Sequence, residues 1–377
     1  MSRSRIAVVG PVYPFRAGIA YCTTRLAAVM GESHEVSIHS FSRQFPKLFY
    51  PGGDDIDPTL ESKRPVNATF DLDVMNPLSW IREGLRLRSE APDTVIFVWW
   101  VWVWAIQYMI IRSLLPSSTR VVFQCHNITD KEASWWKAWL TTRVLATSDM
   151  LVIHAASEAD EARRRLGGRR VPKIEQIFLP VHELGGQTPA RDDARQALGI
   201  QARHVALFFG HVRPFKALDV VLDSWPDVGA DTLLVVAGEA WYGGEAGYRE
   251  QARRLGLDES RVRFEFRFIP DAEIATYFAA TDVVLAPYRH EAQSGVVLTA
   301  FHFGRPVIAS RVGGMPEIVR DGENGLLVDP DDPDGLADAV NRFFGTSDRA
   351  TLEQGATKSA KRHSWEEFAR QLNGLLS

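Results

Sequence analysis

The chain has 377 residues, 45% of them hydrophobic and 24% charged; these are the proportions of a globular protein in water, and the length allows two domains. Forty-three basic against forty-seven acidic residues leave a net charge of −4, which argues against a non-specific nucleic-acid binder with its basic excess. Two cysteines, Cys22 and Cys125, are too few for a disulfide framework and point to a reducing compartment.

The first apolar run, residues 6–10, is a strand and too short for a secretory leader. Further strands are expected at 36–40, 94–99, 120–125 and 150–154, with amphipathic helical patterns between them. The segment 95–111, VIFVWWVWVWAIQYMII, is long enough to suggest a membrane span. Its first half is β-branched and aromatic and its second half is helical in composition, so a buried strand followed by a helix fits better. A Gly-, Pro- and charge-rich stretch at 182–193 then divides the chain. Beyond it, strands are expected at 205–209, 232–238, 261–266, 283–287 and 306–310. Strands alternating with helices predict an α/β protein with two parallel sheets. Ser364-Trp365-Glu366-Glu367 has the form of a capping box and starts a last helix.

Ligands of such folds bind at the carboxyl ends of the strands, so the residues that follow strands matter most. The loop at 10–19 precedes a helix and could present backbone amides to a phosphate. It lacks the GxGxxG dinucleotide fingerprint, and a plain strand–helix turn is the alternative. After the strand at 205–209 come Arg213 and Lys216, two cations beside Pro214. A forked guanidinium and a point-charge ammonium suit a diphosphate; a solvated surface pair is the alternative. Lysine is scarce, eight against thirty-five arginines, which favours a function for Lys216. After the strand at 283–287, Gln293-Ser294-Gly295 open a helix whose free amides favour an anion. Glu291 stands just ahead and could accept hydrogen bonds from ligand hydroxyls. The alternative there is a simple helix cap with Glu291 in solvent.

The run RPVIAS–VGGMPEIV–DGENGLLV from Arg305 to Val328, with GHVRPFKALD and APYRHEAQSGV, resembles the family-4 glycosyltransferases of the GT-B fold. The resemblance covers the C-terminal half closely and the N-terminal half loosely. It implies two facing Rossmann-like domains, at 1–183 for the acceptor and 192–357 for the nucleotide sugar. A helical tail at 358–377 would return to the first. The implied activity is a retaining, metal-independent transfer of a hexosyl-type sugar from a nucleoside-diphosphate donor to a hydroxyl, in bacterial glycan, glycolipid or natural-product glycosylation. No cofactor beyond that donor substrate and no nucleic acid is implied. The protein would be cytoplasmic, with peripheral membrane contact at the inner face compatible with the reading.

On this resemblance Arg213 and Lys216 hold the diphosphate and stabilise leaving-group charge. The amides of Ser294, Gly295 and Val296 assist from the helix terminus, and Gly18 assists from the other domain. Glu291 grips donor-sugar hydroxyls, His126 lies near the anomeric centre, and Phe268 lies along the nucleobase. A buried structural role is the alternative for His126. Three positions depart from the family pattern. Thr299 replaces a second glutamate that binds ribose, which weakens that contact or moves it elsewhere. Ala17 and Ala217 stand where glycines are common, and each methyl narrows a backbone approach. An epimerase or hydrolase of the same fold and a catalytically silent nucleotide-sugar-binding module are the rival functions.

Asp55-Ile56-Asp57 mimics a metal-binding Asp-x-Asp but sits in a Pro-Gly-Gly loop, and no metal site is expected. Seven of eleven tryptophans fall between Trp99 and Trp139. They form either an ordinary core or, with the loop at 43–51, an acceptor wall.

Overall fold

The computed structural model describes residues 3–16, 18–45, 55–128, 134–167, 171–183, 187–345 and 348–377. The chain folds as two compact units, Met1–Leu179 with Trp365–Ser377, and Pro180–Ser364.

The first unit is built on β1 (Arg5–Val9), β2 (Glu35–Arg43), β3 (Ala68–Asp73), β4 (Thr94–Trp99), β5 (Arg120–Cys125), β6 (Met150–Ile153) and β7 (Lys173–Gln176). All pair in parallel, in the order β3-β2-β1-β4-β5-β6-β7. β4 is buried at every residue, because a central strand covered by helices on both faces has no solvent side. The apolar segment 95–111 is that strand, a 3₁₀ turn at Trp102–Trp104, and the helix Ala105–Leu114. Among the described residues no helix is long and apolar enough to cross a membrane.

The second unit repeats the plan with β8 (His204–Phe209), β9 (Thr232–Ala237), β10 (Val262–Glu265), β11 (Val283–Ala286), β12 (Val307–Ser310) and β13 (Gly325–Val328). Its parallel order is β10-β9-β8-β11-β12-β13. In both sheets the order reverses beside the first strand, and loops at the carboxyl ends of the flanking strands form the ligand crevice of such folds. The two sheets are Rossmann-like, as the fold expectation required. The strands not anticipated, β3, β7 and β13, each lie at a sheet edge.

The amino end of the second sheet is tied by one carboxylate. Asp282, 1% exposed, precedes β11 and accepts hydrogen bonds from Arg191 (3.0 Å), Arg195 (2.8 Å), Arg349 (2.8 Å) and the Val205 amide (2.8 Å). Four donors around one buried carboxylate offset its desolvation.

The unit bounds differ from those expected. Val181 already belongs to the second unit, its amide donating to the His363 carbonyl at 2.8 Å. At the other end the helix Arg349–Arg362 stays with the second unit, so the returning segment starts at Trp365 rather than at 358. The returning helix, Trp365–Leu376, packs on the helix Gly18–Gly31. The Trp365 indole N–H donates to the Tyr21 hydroxyl at 3.3 Å, and Arg120 donates to the Leu376 carbonyl at 2.7 Å.

Candidate active site

β8 is followed by Gly210, whose φ of +86° is open to glycine at little steric cost. A side chain there would also collide with what packs against the bare α-carbon: a Cβ would lie 3.3 Å from the Lys216 ammonium and 3.4 Å from Val296 Cγ2. The predicted motifs after β8 and β11 therefore meet around one glycine. Pro214–Lys216 form a 3₁₀ turn that brings Lys216 back over the strand end, and the next residue, Ala217, is fully buried at φ +59°. A left-handed non-glycine costs about 1–2 kcal/mol, so the turn is held by its surroundings.

Arg289 supplies that hold. Its guanidinium is bidentate to Asp219 (3.0 and 2.6 Å) and also donates to Asp331 and the Pro214 carbonyl. Its own amide donates to the Phe215 carbonyl at 2.7 Å. The loops after β8 and β11 are thereby locked together, and the carboxylates raise the affinity of Arg289 for its proton.

Lys216 is 9% exposed. Its ammonium lies 5.5 Å from the Tyr288 ring centre and forms no hydrogen bond or ion pair among the described residues. Burial lowers its pKa to about 8, Glu291 pulls upward and Arg213 pushes down again. Arg213 is held by rings instead of carboxylates. Its guanidinium sits 4.9 Å from Phe215 and 5.3 Å from Trp241, with His290 stacked on Phe215 at 4.9 Å and His211 tilted against Trp241 at 4.7 Å. Cation–π contact fixes the guanidinium without neutralising it. Its Nε is buried and has no hydrogen-bond partner among the described residues. His290, which the motif after β11 contains, and Trp241, absent from the sequence reading, complete this stack; only strand pairing brings Trp241, which follows β9, beside Arg213.

Ser294 is the N-cap of the helix Gly295–His302, its hydroxyl accepting from the Val297 amide at 3.4 Å. The helix geometry leaves the Gly295 and Val296 amides without an intrahelical acceptor. Gly295 is also a close-approach position: a Cβ would fall 2.5 Å from the His182 ring. Burial lowers the His182 pKa to about 4, so the ring seated there is neutral. Glu291 accepts from the Ala292 amide at 3.1 Å and is electrostatically linked to Lys216. Thr299, 3% exposed, donates its hydroxyl to the Gly295 carbonyl at 2.8 Å, so its donor is already used within the helix. Phe268 follows β10, half-buried, with its carbonyl accepting from Arg267.

In the first unit, His126 follows β5 and its amide donates to the Trp99 carbonyl at 2.9 Å. Its ring lies 5.2 Å from that of His154, which burial holds neutral with a pKa near 4. Gly18 opens the helix Gly18–Gly31; the preceding loop is pinned by Tyr13 donating to Thr24 (3.1 Å) and Arg16 donating to the Asp55 carbonyl (2.8 Å). Ala17 and residues 46–51 of the predicted aromatic loop lie outside the described residues. Asp57 caps the 3₁₀ turn Pro58–Lys63, and no group of three potential ligands for a metal occurs among the described residues. The tryptophans divide: Trp99 and Trp104 are core, whereas Trp135, Trp136 and Trp139 are exposed.

Comparison with known proteins agrees with this geometry. Residues 203–345 match the family model for glycosyl transferases group 1. The D-inositol 3-phosphate glycosyltransferase of a Nocardioides species is 34% identical over 246 residues, 61% of this chain and 53% of the relative. That of Corynebacterium glutamicum is 33% identical over 253 residues, 62% of this chain and 58% of the relative. The chain thus spans little more than half the length of these curated relatives. Among solved structures, Anabaena HepE in complex with UDP and glucose superposes with a TM-score of 0.77 at 19% identity, over 99% of both chains. Sucrose-phosphate synthase from Thermosynechococcus elongatus gives 0.74 at 19% identity, over 99% of this chain and 98% of that one. With a group 1 match at 203–345 and a superposition along its whole length, the chain carries a glycosyl transferases group 1 region in its second unit and has the GT-B fold.

Proposed function

We propose that this protein transfers a sugar from a nucleoside-diphosphate donor to a hydroxyl acceptor, with retention at the anomeric carbon and without a metal. The observation that supports this reading is a pair of cations, buried Lys216 and half-buried Arg213, that meet no carboxylate among the described residues, with Lys216 beside Val296 at the start of the helix Gly295–His302. A diphosphate supplies the negative charge such a site needs. Breaking the bond from the anomeric carbon to the β-phosphate oxygen leaves charge on that phosphate, where Lys216, Arg213 and the two amides stabilise it. Glu291 accepts hydrogen bonds from donor-sugar hydroxyls, and the acceptor oxygen forms the new bond to the anomeric carbon as its proton passes to the departing phosphate oxygen. Gly18 adds a backbone amide to the diphosphate, Phe268 lies along the base, and His126 orients the sugar or acceptor. Retention and metal independence rest on the family resemblance.

The names of the curated relatives make inositol 3-phosphate the first acceptor to try, and UDP the first nucleotide. The test is a thermal-shift panel of nucleoside diphosphates, followed by product analysis with the matching sugar donors in the presence of a chelator. A glycoside of unchanged anomeric configuration is expected. Donor breakdown without glycoside would assign a hydrolase or epimerase, and donor binding with no turnover a silent binding module.

A further inference from the structure

Eleven large hydrophobic side chains are exposed among the described residues, and eight of them lie on, or in the turn before, three neighbouring helices of the first unit. These helices are Pro77–Glu90, Ala105–Leu114 and Trp135–Leu145; the second packs against both of the others. Each sends its inner face into one core through Leu87, Ile111 or Val144, so their outer faces look the same way. On the first, Leu78, Ile81 and Leu85 make an exposed stripe at helical spacing. Ile106 continues it on the second. On the third, Trp135 is 82% exposed and Trp136 and Trp139 about half so.

Charge on these helices is one-sided. They carry six cations: Arg82, Arg86 and Arg88, then Arg112, Lys137 and Arg143. Of their two acids, Glu83 is buried against His39, and Glu90 pairs with His39 and with Arg86, whose guanidinium also reaches Asp71; the other five cations have no ion pair among the described residues. The cations lie with the rings: Lys137 is 5.1 Å from Trp102 and 5.6 Å from Trp136, and Arg143 is 5.0 Å from Trp139.

We infer that this three-helix face docks on an anionic lipid bilayer. Tryptophans with an apolar body and a polar N–H settle at headgroup depth, and basic side chains reach past them to lipid phosphates. A second copy of the chain fits the face less well, because a two-fold contact would set its cations against themselves. The surface shares no residue with the donor-binding loops, so the inference stands apart from the proposed transfer reaction.

Vesicle sedimentation tests it. Phosphatidylcholine vesicles with about a third phosphatidylglycerol are expected to bind the protein at least about tenfold more tightly than phosphatidylcholine alone, an advantage that added salt erodes. Replacing Trp135, Trp136 and Trp139 together by Ala should cut binding about tenfold. Lys137→Glu with Arg143→Glu, at partly solvated positions, should abolish the preference for the anionic lipid. An undiminished UDP thermal shift in each variant verifies the fold separately from membrane affinity. Equal binding to both vesicle types, or full binding by the tryptophan variant, overturns the inference. So does light scattering that finds a wild-type dimer made monomeric by the same substitutions, which would assign the face to a protein partner.

Discussion

The two ends of the second sheet use buried charge in opposite ways. At the amino end Asp282 is surrounded by three arginines and a backbone amide, so its charge is spent within the fold. At the carboxyl end Lys216 and Arg213 are fixed by a glycine, a turn and a stack of rings, with no hydrogen bond to either side chain's charged group among the described residues. Both sets are just charged residues in the sequence. Pairing separates a charge that holds the structure from one held ready for a ligand, and the unpaired set lowers stability until an anion arrives.

The largest effect expected from this contrast is at the paired end. Asp282→Ala leaves three arginines facing one another and should lower unfolding free energy by about 3–5 kcal/mol in denaturant titrations, with nucleotide affinity per folded molecule unchanged. An unaltered unfolding midpoint would erase the contrast. At the unpaired end, Lys216→Ala should reduce donor kcat/KM by about 10²–10³ while the melting temperature holds or rises, since a desolvated ammonium is gone. The wild-type pH profile sharpens this point. The protonated amine is the binding form and its pKa is about 8 in the free enzyme, so donor kcat/KM should fall as pH rises through 8. Because the shift is downward, the same group costs stability below pH 8 and that cost fades above it. A flat profile to pH 10 would place the essential charge elsewhere. The smallest effect is expected for Trp241→Ala, which removes one of the two rings on Arg213 and should raise donor KM about tenfold with kcat little changed.

How much was legible in the sequence follows the same division between local and non-local information. Central strands such as β4 and β8 announce themselves as unbroken apolar runs. β3 (ATFDLD) and β7 (KIEQ) carry the charges that suit an exposed edge. The loops after β8 and β11 were readable because each is one contiguous motif. The partners that complete them were not. Trp241 reaches Arg213 only because β8 and β9 pair in register, and His182 reaches Gly295 from the start of the second unit. Thr299 was read as a weakened or displaced ribose contact; in the structure its hydroxyl donates to the Gly295 carbonyl. The tryptophan run looked like one feature, yet helical phase turned Trp104 into the core and Trp135 into solvent.

The hydrogen bond from Val181 to the His363 carbonyl joins the two places where the chain enters and leaves the second unit. In terms of synthesis, that unit is an insertion emerging whole before the first can be finished. On the ribosome the seven-stranded sheet must wait, with the Tyr21 surface uncovered, until Trp365–Leu376 arrives. The insertion has its ends side by side and its own sheet and core, as a unit that folds by itself does.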